Sequence, residues 1–229
     1  MPAETTRLVV ALRPDKSLDA LVRQYKRRLL AAAGPQLYAT DPPHATLYVA
    51  DFTAGRMAAA LRRAEHLAAT IQMPNVALGG WHVFENDPLT GRNTLVCRLN
   101  NETCQRLRRV QLEVLAALAP LHDASTTLSA LSERLPLLSD EQRQRATLFG
   151  FPYVGDGWIP HLTIASVQPR QWPHVRQVFG LLDSSSGQIE SLSCERGRFT
   201  ALDIFELQGL EPHRLATFAL ATRHMGKAA

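Results

Sequence analysis

The sequence predicts an α+β protein with two pseudo-symmetric antiparallel sheets, helices on the outside and a central cleft. Two observations support this fold class. Strand-like segments alternate with amphipathic helical segments, and one short pattern occurs twice, as Pro43-His44-Ala45-Thr46-Leu47 and Pro160-His161-Leu162-Thr163-Ile164. The same order of elements (strand, helix, strand, strand) follows from each histidine. We therefore expect a single bilobal domain over residues 1–229.

The elements of the first half follow from hydropathy period and from capping or turn residues. Ser17 is a good N-cap, Gly34-Pro35 closes the helix that it begins, and the turn-forming residues 85–91 indicate a hairpin. In order, we predict a strand at 7–12, a helix at 17–34, a strand at 44–50, a helix at 54–71, strands at 75–84 and 93–99, and a helix at 107–118.

The second half repeats this order after His161. We predict a strand at 161–167, a helix at 169–182, a linker at 184–187 and strands at 198–206 and 214–222. Identity between the halves is slight, so the repeat is inferred from order and spacing. Between the halves, residues 121–150 are interpreted as a helical insertion with two short helices, the second of which opens with a capping box from Ser139 to Gln142.

Each copy of the motif is placed at the start of a strand, because proline is tolerated at a strand's first residue. Side chains alternate between the faces of a strand, so His44 and Thr46 are expected to share one face while Ala45 and Leu47 point into the core. His161 and Thr163 are expected to be arranged in the same way. If each half forms one lobe and the two lobes face each other, both histidines line one groove.

This set of side chains fits the cleavage of a phosphodiester. The reaction needs a base for the attacking oxygen, an acid for the leaving oxygen and donors to the non-bridging oxygens. Free imidazole titrates near pH 6.5, so His44 and His161 can serve as base and acid, and Thr46 and Thr163 can donate hydroxyl hydrogen bonds. Which histidine is the base is left open.

Composition narrows the possible environments and partners. The net charge of +4 and the pI near 9.2 favour phosphate-bearing ligands without requiring a nucleic acid. Apolar runs are too short to cross a membrane, and the N-terminus lacks the apolar stretch of a secretory signal, so we expect a cytoplasmic protein with no membrane association. Cys97, Cys104 and Cys194 are odd in number and lack C-x-x-C spacing, which predicts reduced thiols.

Other catalytic classes lack their motifs. No H-x-H or H-E-x-x-H pattern indicates a metal, no G-x-S-x-G indicates a serine hydrolase, and no G-x-x-x-x-G-K-[ST] indicates a P-loop. The remaining histidines are scattered singly. We expect no metal, no cofactor and no obligate protein partner, and a monomeric state.

With these motifs in this order, the chain resembles the 2H phosphoesterase superfamily, which includes bacterial 2′-5′ RNA ligases and cyclic phosphodiesterases. The resemblance spans nearly the whole chain: H-A-T-L at 44–47 and H-L-T-I at 161–164 fit the family's paired His-x-Thr/Ser motifs, and 199–206 with 215–220 resemble its final strand pair. It implies a bilobal fold and a metal-independent phosphodiesterase. Residues 150–154, Gly-Phe-Pro-Tyr-Val, are also similar to a branch found with bacterial phosphonate-metabolism genes.

The substrate is left open at this point. Cyclic phosphates, 2′,5′-linked nucleotides or RNA ends, and a cyclic ester of phosphonate metabolism all fit the same four residues, and a non-catalytic nucleotide or cyclic-phosphate binding protein is the alternative. Aromatic side chains near the motifs can stack on a nucleobase. Tyr48, which alternation places on the face of His44, and Tyr153 and Trp158, which precede His161, are the predicted substrate-binding residues.

Overall fold

Two four-stranded antiparallel sheets form the frame of the protein, which agrees with the predicted fold class. The computed structural model describes residues 4–73, 75–181, 196–209 and 211–221, so the predicted linker at 184–187 and Cys194 lie outside it. Sheet 1 has the strand order β2-β1-β7-β8 and sheet 2 the order β5-β4-β3-β6.

The elements lie close to the predicted ones. The strands are β1 (Thr5–Pro14), β2 (Ala45–Thr53), β3 (Val76–Asp87), β4 (Arg92–Leu99), β5 (His161–Val167), β6 (Arg196–Gly197), β7 (Phe199–Gln208) and β8 (Glu211–Ala219). The helices are α1 (Lys16–Ala33), α2 (Ala54–Thr70), α3 (Asn101–Leu118), α4 (Ala124–Leu131), α5 (Asp140–Phe149) and α6 (Trp172–Val178). Helix α3 begins earlier than predicted because the Asn100 side chain accepts a hydrogen bond from the Thr103 amide at 2.9 Å.

The two sheets match in register as well as in strand number. Strand β2 lies at the edge of sheet 1 beside β1, where Thr46 pairs with Ala11. Strand β5 lies at the edge of sheet 2 beside β4, where Thr163 pairs with Val96. Each motif therefore occupies an equivalent position, and β2 and β5 contact each other where the lobes meet.

The lobes are not the two halves of the sequence that begin at each histidine. The repeated unit is strand, helix, strand, helix, strand, and it begins one strand before each motif, as β1-α1-β2-α2-β3 and then β4-α3-β5-α6-β7. The third strand of each unit pairs in the opposite sheet: β7 pairs with β1, and β3 pairs with β4. The expectation that each half forms its own lobe is therefore wrong, because the halves exchange strands.

A β-bulge follows each motif. Along β1, Ala11 pairs with Thr46 and the preceding Val10 pairs with Tyr48, so Leu47 is an extra residue. Sheet 2 has the same irregularity, where Val96 pairs with Thr163 and Leu95 pairs with Ala165. A bulge of this kind reverses the alternation of side chains beyond it.

The first bulge turns Tyr48 into the core, so its predicted place beside His44 and Thr46 is wrong. Tyr48 is 0% exposed, and its hydroxyl donates a 2.6 Å hydrogen bond to the carbonyl of Phe149. The backbone of the bulge is also anchored, because the buried Gln111 side chain on α3 donates to the Leu47 carbonyl at 3.1 Å. The motif strand is thus held from behind by polar contacts with the helical layer.

The helices cover the outer faces of the sheets. Helix α1 contacts β5 and α6, whereas α2 and α3 contact each other and sheet 1. Aliphatic side chains from both sheets and these helices form one continuous hydrophobic cluster. Cys97 and Cys104 are buried free thiols. Gly34 ends α1 at φ 66°, a conformation that favours glycine, and its amide donates to the Leu30 carbonyl.

Residues 121–150 contain α4 and α5 and cover the exposed edge of β2. The Asp51 amide donates to the Thr127 hydroxyl at 3.0 Å, and the Asp123 amide donates to the Asp51 carbonyl at 2.7 Å. An uncovered edge strand can pair with another chain, and these contacts satisfy part of that edge. Within the described residues, no helix combines the length and apolar character needed to span a bilayer.

Replacement of Tyr48 by phenylalanine tests its structural role. The change removes one buried hydrogen bond and leaves the Phe149 carbonyl without this donor, so we expect the free energy of unfolding to fall by about 1–2 kcal/mol. Denaturant unfolding measures this loss. The activity of the variant should stay near that of wild type. A large loss of kcat/KM with unchanged stability would show that Tyr48 contacts the substrate.

Candidate active site

The two motif histidines are oriented by the same contact. His44 Nδ1 lies 2.7 Å from the Pro42 carbonyl oxygen, and His161 Nδ1 lies 2.6 Å from the Ile159 carbonyl oxygen. A carbonyl only accepts, so Nδ1 carries the proton in both rings and Nε2 keeps its lone pair. Each imidazole is therefore prepared to take a proton at Nε2.

A phenylalanine two strands away packs against each histidine. The ring centroids of His44 and Phe205 are 5.6 Å apart, and those of His161 and Phe84 are 5.2 Å apart. Phe205 pairs with Val9 and Phe84 with Thr94, which are equivalent register positions in the two sheets. Sequence reasoning missed both, because the strand exchange brings them to the histidines.

The histidines are weak bases in this environment. Burial is the main cause that lowers the pKa of His44 to about 4, and the neighbouring Lys26 and His161 lower it further. Burial likewise lowers the pKa of His161 to about 4, with a contribution from His82. At neutral pH both imidazoles are therefore neutral until an anion lies near them, since opposite charge favours the protonated form.

Thr46 and Thr163 lie half-buried on the same strand faces as their histidines. Within the described part of the chain, neither hydroxyl makes a side-chain hydrogen bond to another residue. Both hydroxyls remain able to donate to an oxygen in the cleft, which is the role that the motif predicts.

The predicted substrate-binding aromatics differ in their placement. Trp158 is 3% exposed and packs in the core, so the structure does not place it where a substrate could stack, and Tyr48 is excluded by its burial. Tyr153 is half-buried with its ring 5.8 Å from Phe151. After burial, the charge of Asp87 is the next cause that raises the pKa of Tyr153, and Asp87 also raises that of His161. Tyr153 therefore stays a predicted substrate-binding residue.

The loop before the first motif adds Tyr38 to this region. Leu37 pairs with Ser166, whose amide donates to the Leu37 carbonyl at 2.8 Å, so the loop runs beside β5. Tyr38 has φ 67°, which is uncommon for a bulky residue, and the buried Lys26 ammonium donates to its carbonyl at 2.5 Å. Burial and then Asp87 raise the pKa of Tyr38 to about 12.

An ion pair with a buried carboxylate lies beside His44 in sheet 1. Arg13 donates to both carboxylate oxygens of Asp203, at 2.8 and 2.5 Å, and to the Thr217 hydroxyl at 2.6 Å. The Asp203 side chain is 1% exposed, and Arg214 lies 3.4 Å from it. This fork geometry fixes both partners, so Arg13 has little freedom to bind a ligand.

The equivalent region of sheet 2 carries Arg98 and His82. Arg98 pairs with His161 in register and His82 pairs with Val96, so both side chains share the motif's face of the sheet. His82 contacts Phe84 with ring centroids 4.7 Å apart. Within the described ranges, no three His, Cys, Asp or Glu side chains come together in a way that could hold a metal ion.

Two matched four-stranded sheets, each with a His-x-Thr motif at the start of its edge strand, define a two-lobed α+β fold in which the strands of the two motifs contact each other. The family model of the 2′-5′ RNA ligase superfamily matches residues 14–198, and the chain belongs to that family. The resemblance to 2H phosphoesterases is thereby confirmed, while the phosphonate branch stays a prediction. No curated protein sequence matches the chain significantly.

Solved structures share this fold at low sequence identity. The crystal structure of TT0787 from Thermus thermophilus has a TM-score of 0.58 and 16% identity, covering 95% of this chain and 100% of that one. Escherichia coli LigT complexed with 3′-AMP has a TM-score of 0.53 and 14% identity, covering 96% and 100%. LigT complexed with NADP+ has a TM-score of 0.53 and 12% identity, covering 96% of this chain and 100% of that one. At these identities the likeness concerns the fold.

The lowered pKa of the histidines predicts acid sensitivity of the fold. Their folded pKa, about 4, lies below the unfolded value near 6.5, so the unfolded state binds more protons between these values. Stability is complete above about pH 6.5 and is lost as pH falls toward 4. His44→Gln should therefore reduce the slope of unfolding free energy against pH by up to about 1.4 kcal/mol per pH unit.

Denaturant unfolding at pH values from 4.5 to 7.5 measures this slope. His174→Gln is the matched control, because it removes an exposed imidazole on α6. An unchanged slope in His44→Gln would show that His44 is not kept neutral by the fold.

Proposed function

We propose that this protein is a metal-independent phosphodiesterase that acts on a cyclic phosphate or a 2′,5′-linked phosphodiester of a nucleotide or RNA-type substrate. The observation that carries the proposal is the matched pair of imidazoles, each with Nδ1 hydrogen-bonded to a carbonyl and Nε2 left to exchange a proton. Family membership supports phosphoesterase chemistry as the general class.

In the proposed reaction the phosphate lies between His44 and His161. One Nε2 takes the proton of the attacking water or hydroxyl while the other, protonated, gives a proton to the leaving oxygen. Thr46 and Thr163 donate to the non-bridging oxygens, where negative charge increases as the new bond forms. The two histidines exchange roles in the reverse reaction, as the matched geometry allows.

The low pKa values of His44 and His161 bear on how the histidine that acts as the acid obtains its proton. At pH 7 neither imidazole is charged by itself, so the protonated partner arises when the anionic substrate enters the cleft. Binding of a phosphodiester is therefore coupled to the uptake of one proton. Half-buried Tyr38 and Tyr153, near Asp87, are the proposed contacts for the organic part of the substrate.

Loss of either imidazole should abolish most of the activity. We expect His44→Ala and His161→Ala each to lower kcat/KM by about 10²- to 10⁴-fold, with little further loss in the double variant, because both act in one step. Turnover of 2′,3′-cyclic nucleotides, 2′,5′-linked dinucleotides and cyclic phosphonate-type esters, with EDTA present, measures this effect. His66→Ala, which changes an exposed histidine on α2, is the control.

Two results would contradict the proposal. Activity that disappears with EDTA would show that a metal is required. Tight binding of these esters without turnover of any of them would favour a nucleotide or cyclic-phosphate binding protein.

The pH dependence of kcat/KM should be acid-shifted. Because both pKa values lie well below 6.5, the singly protonated pair becomes scarcer as pH rises, and kcat/KM should fall about tenfold per pH unit between pH 6.5 and 8.5. Steady-state kinetics over this range, with circular dichroism to confirm folding, tests it. A maximum of kcat/KM above pH 7.5 would contradict the proposed proton uptake.

A further inference from the structure

The two sheets place opposite kinds of side chain at equivalent positions beside their histidines. In sheet 1, Ala11 pairs with Thr46 on one side and with Asp203 on the other. In sheet 2, Val96 pairs with Thr163 on one side and with His82 on the other. Arg13 and Arg98 each lie two residues further along the same strands. Sheet 1 thus has an arginine with an aspartate, and sheet 2 has an arginine with a histidine.

This difference leaves the two arginines in different electrostatic states. Arg13 is paired with the Asp203 carboxylate through a bidentate contact, and this carboxylate also lies 3.4 Å from Arg214. Arg98 is exposed, and its partners are the Asn101 amide oxygen at 3.0 Å and the Cys104 sulfur, both uncharged groups. Within the described residues no carboxylate lies within ion-pair distance of Arg98. The Arg98 guanidinium therefore keeps its positive charge, and after burial this charge is the next cause that lowers the pKa of the neighbouring His82.

The exposed Arg98 side chain lies beside a glycine and a histidine of β3. Its neighbour on β3 is Gly80, which has no side chain to cover it, and His82 follows two residues further on the same face. His82 is half-buried and makes no hydrogen bond to any described residue, so its ring nitrogens are available. Diagonal neighbours on one face of a sheet are within reach of long side chains, so Arg98 and His82 can bind one group together.

We propose that Arg98 and His82 form a subsite for a second phosphate group of the substrate, next to the phosphate that reacts between the two motif histidines. This inference rests on the proposed function and narrows its substrate class. An arginine offers a planar fork of donors that matches phosphate oxygens, and an imidazole adds one more donor. The substrate is a nucleotide whose ribose carries a phosphate in addition to the reacting one.

Binding of two product-like nucleotides tests the subsite without turnover. We expect wild type to bind adenosine 3′,5′-bisphosphate about tenfold or more tightly than adenosine 3′-monophosphate, as a charge-assisted contact predicts. Arg98→Gln should abolish this preference, and His82→Asn should reduce it. Arg109→Gln, which removes an exposed arginine on α3, is the control that keeps it. Isothermal titration calorimetry gives the dissociation constants of each variant, and circular dichroism confirms folding.

Turnover separates the subsite from the proposed reaction. Arg98→Gln should lower kcat/KM about tenfold for a 2′,3′-cyclic nucleotide that carries a 5′-phosphate and change it less than about threefold for the cyclic nucleotide without one. Equal affinity of wild type for the two nucleotides, a preference kept in Arg98→Gln, or no measurable binding of the bisphosphate would overturn the subsite. A binding preference that depends on Arg98 in a protein without turnover would support the subsite and refute the catalytic proposal.

Discussion

The exchange of third strands between the two repeats is the constraint on which the rest of the structure depends. Strand β1 needs β7 on its open side, and β4 needs β3, so each sheet is completed by the other repeat. The phenylalanines that pack on the histidines arrive on these exchanged strands, and so do Asp203 and His82. The environment of each histidine is therefore built by residues from both repeats.

The paired bulges set the geometry of the motifs within this frame. Each falls on the residue after the threonine, Leu47 in one lobe and Ile164 in the other. Up to that residue, alternation presents the histidine and the threonine to the cleft, and beyond it the chain turns its next side chain to the core. In sheet 1 the Gln111 side-chain amide on α3 donates a hydrogen bond to the backbone of the bulge. The motif strand is therefore stabilised by a buried polar contact on the face that points away from the cleft.

Much of the fold and the centre of the site were predictable from local pattern. The doubled Pro-His-x-Thr, the helical periodicity and the turn residues at 85–91 are signals that lie within a few residues of each other. The positions of Tyr48 and Trp158 were not predictable in this way. The bulge that buries Tyr48 adds one residue to a strand without any change in composition, and Trp158 lies in an irregular segment whose burial depends on the core around it.

Residues that reach the site through strand pairing could not be found from sequence spacing. Phe84, His82 and Arg98 enter the cleft because β3 and β4 pair in one register, and a shift of one residue would turn each of them to the other face. The difference between Asp203 and His82 becomes visible only when the two sheets are compared position by position. The hairpin of β3 and β4 is local, but the pairing of β4 with β5, which brings these residues to the strand of His161, joins segments that are distant in sequence and is not decided by local propensity.

The pairing of β1 with β7 also determines when the first lobe can form during synthesis. Arg13 and Asp203 are separated by 190 residues, so a ribosome that has released both motifs has not yet released the strand that lies beside β1. Until then, β1 has an open edge in the nascent chain, and the carboxylate that pairs with Arg13 has not been translated. Contacts of such long range form slowly. The N-terminal motif is thus translated early but is among the last parts of the cleft to reach its final surroundings.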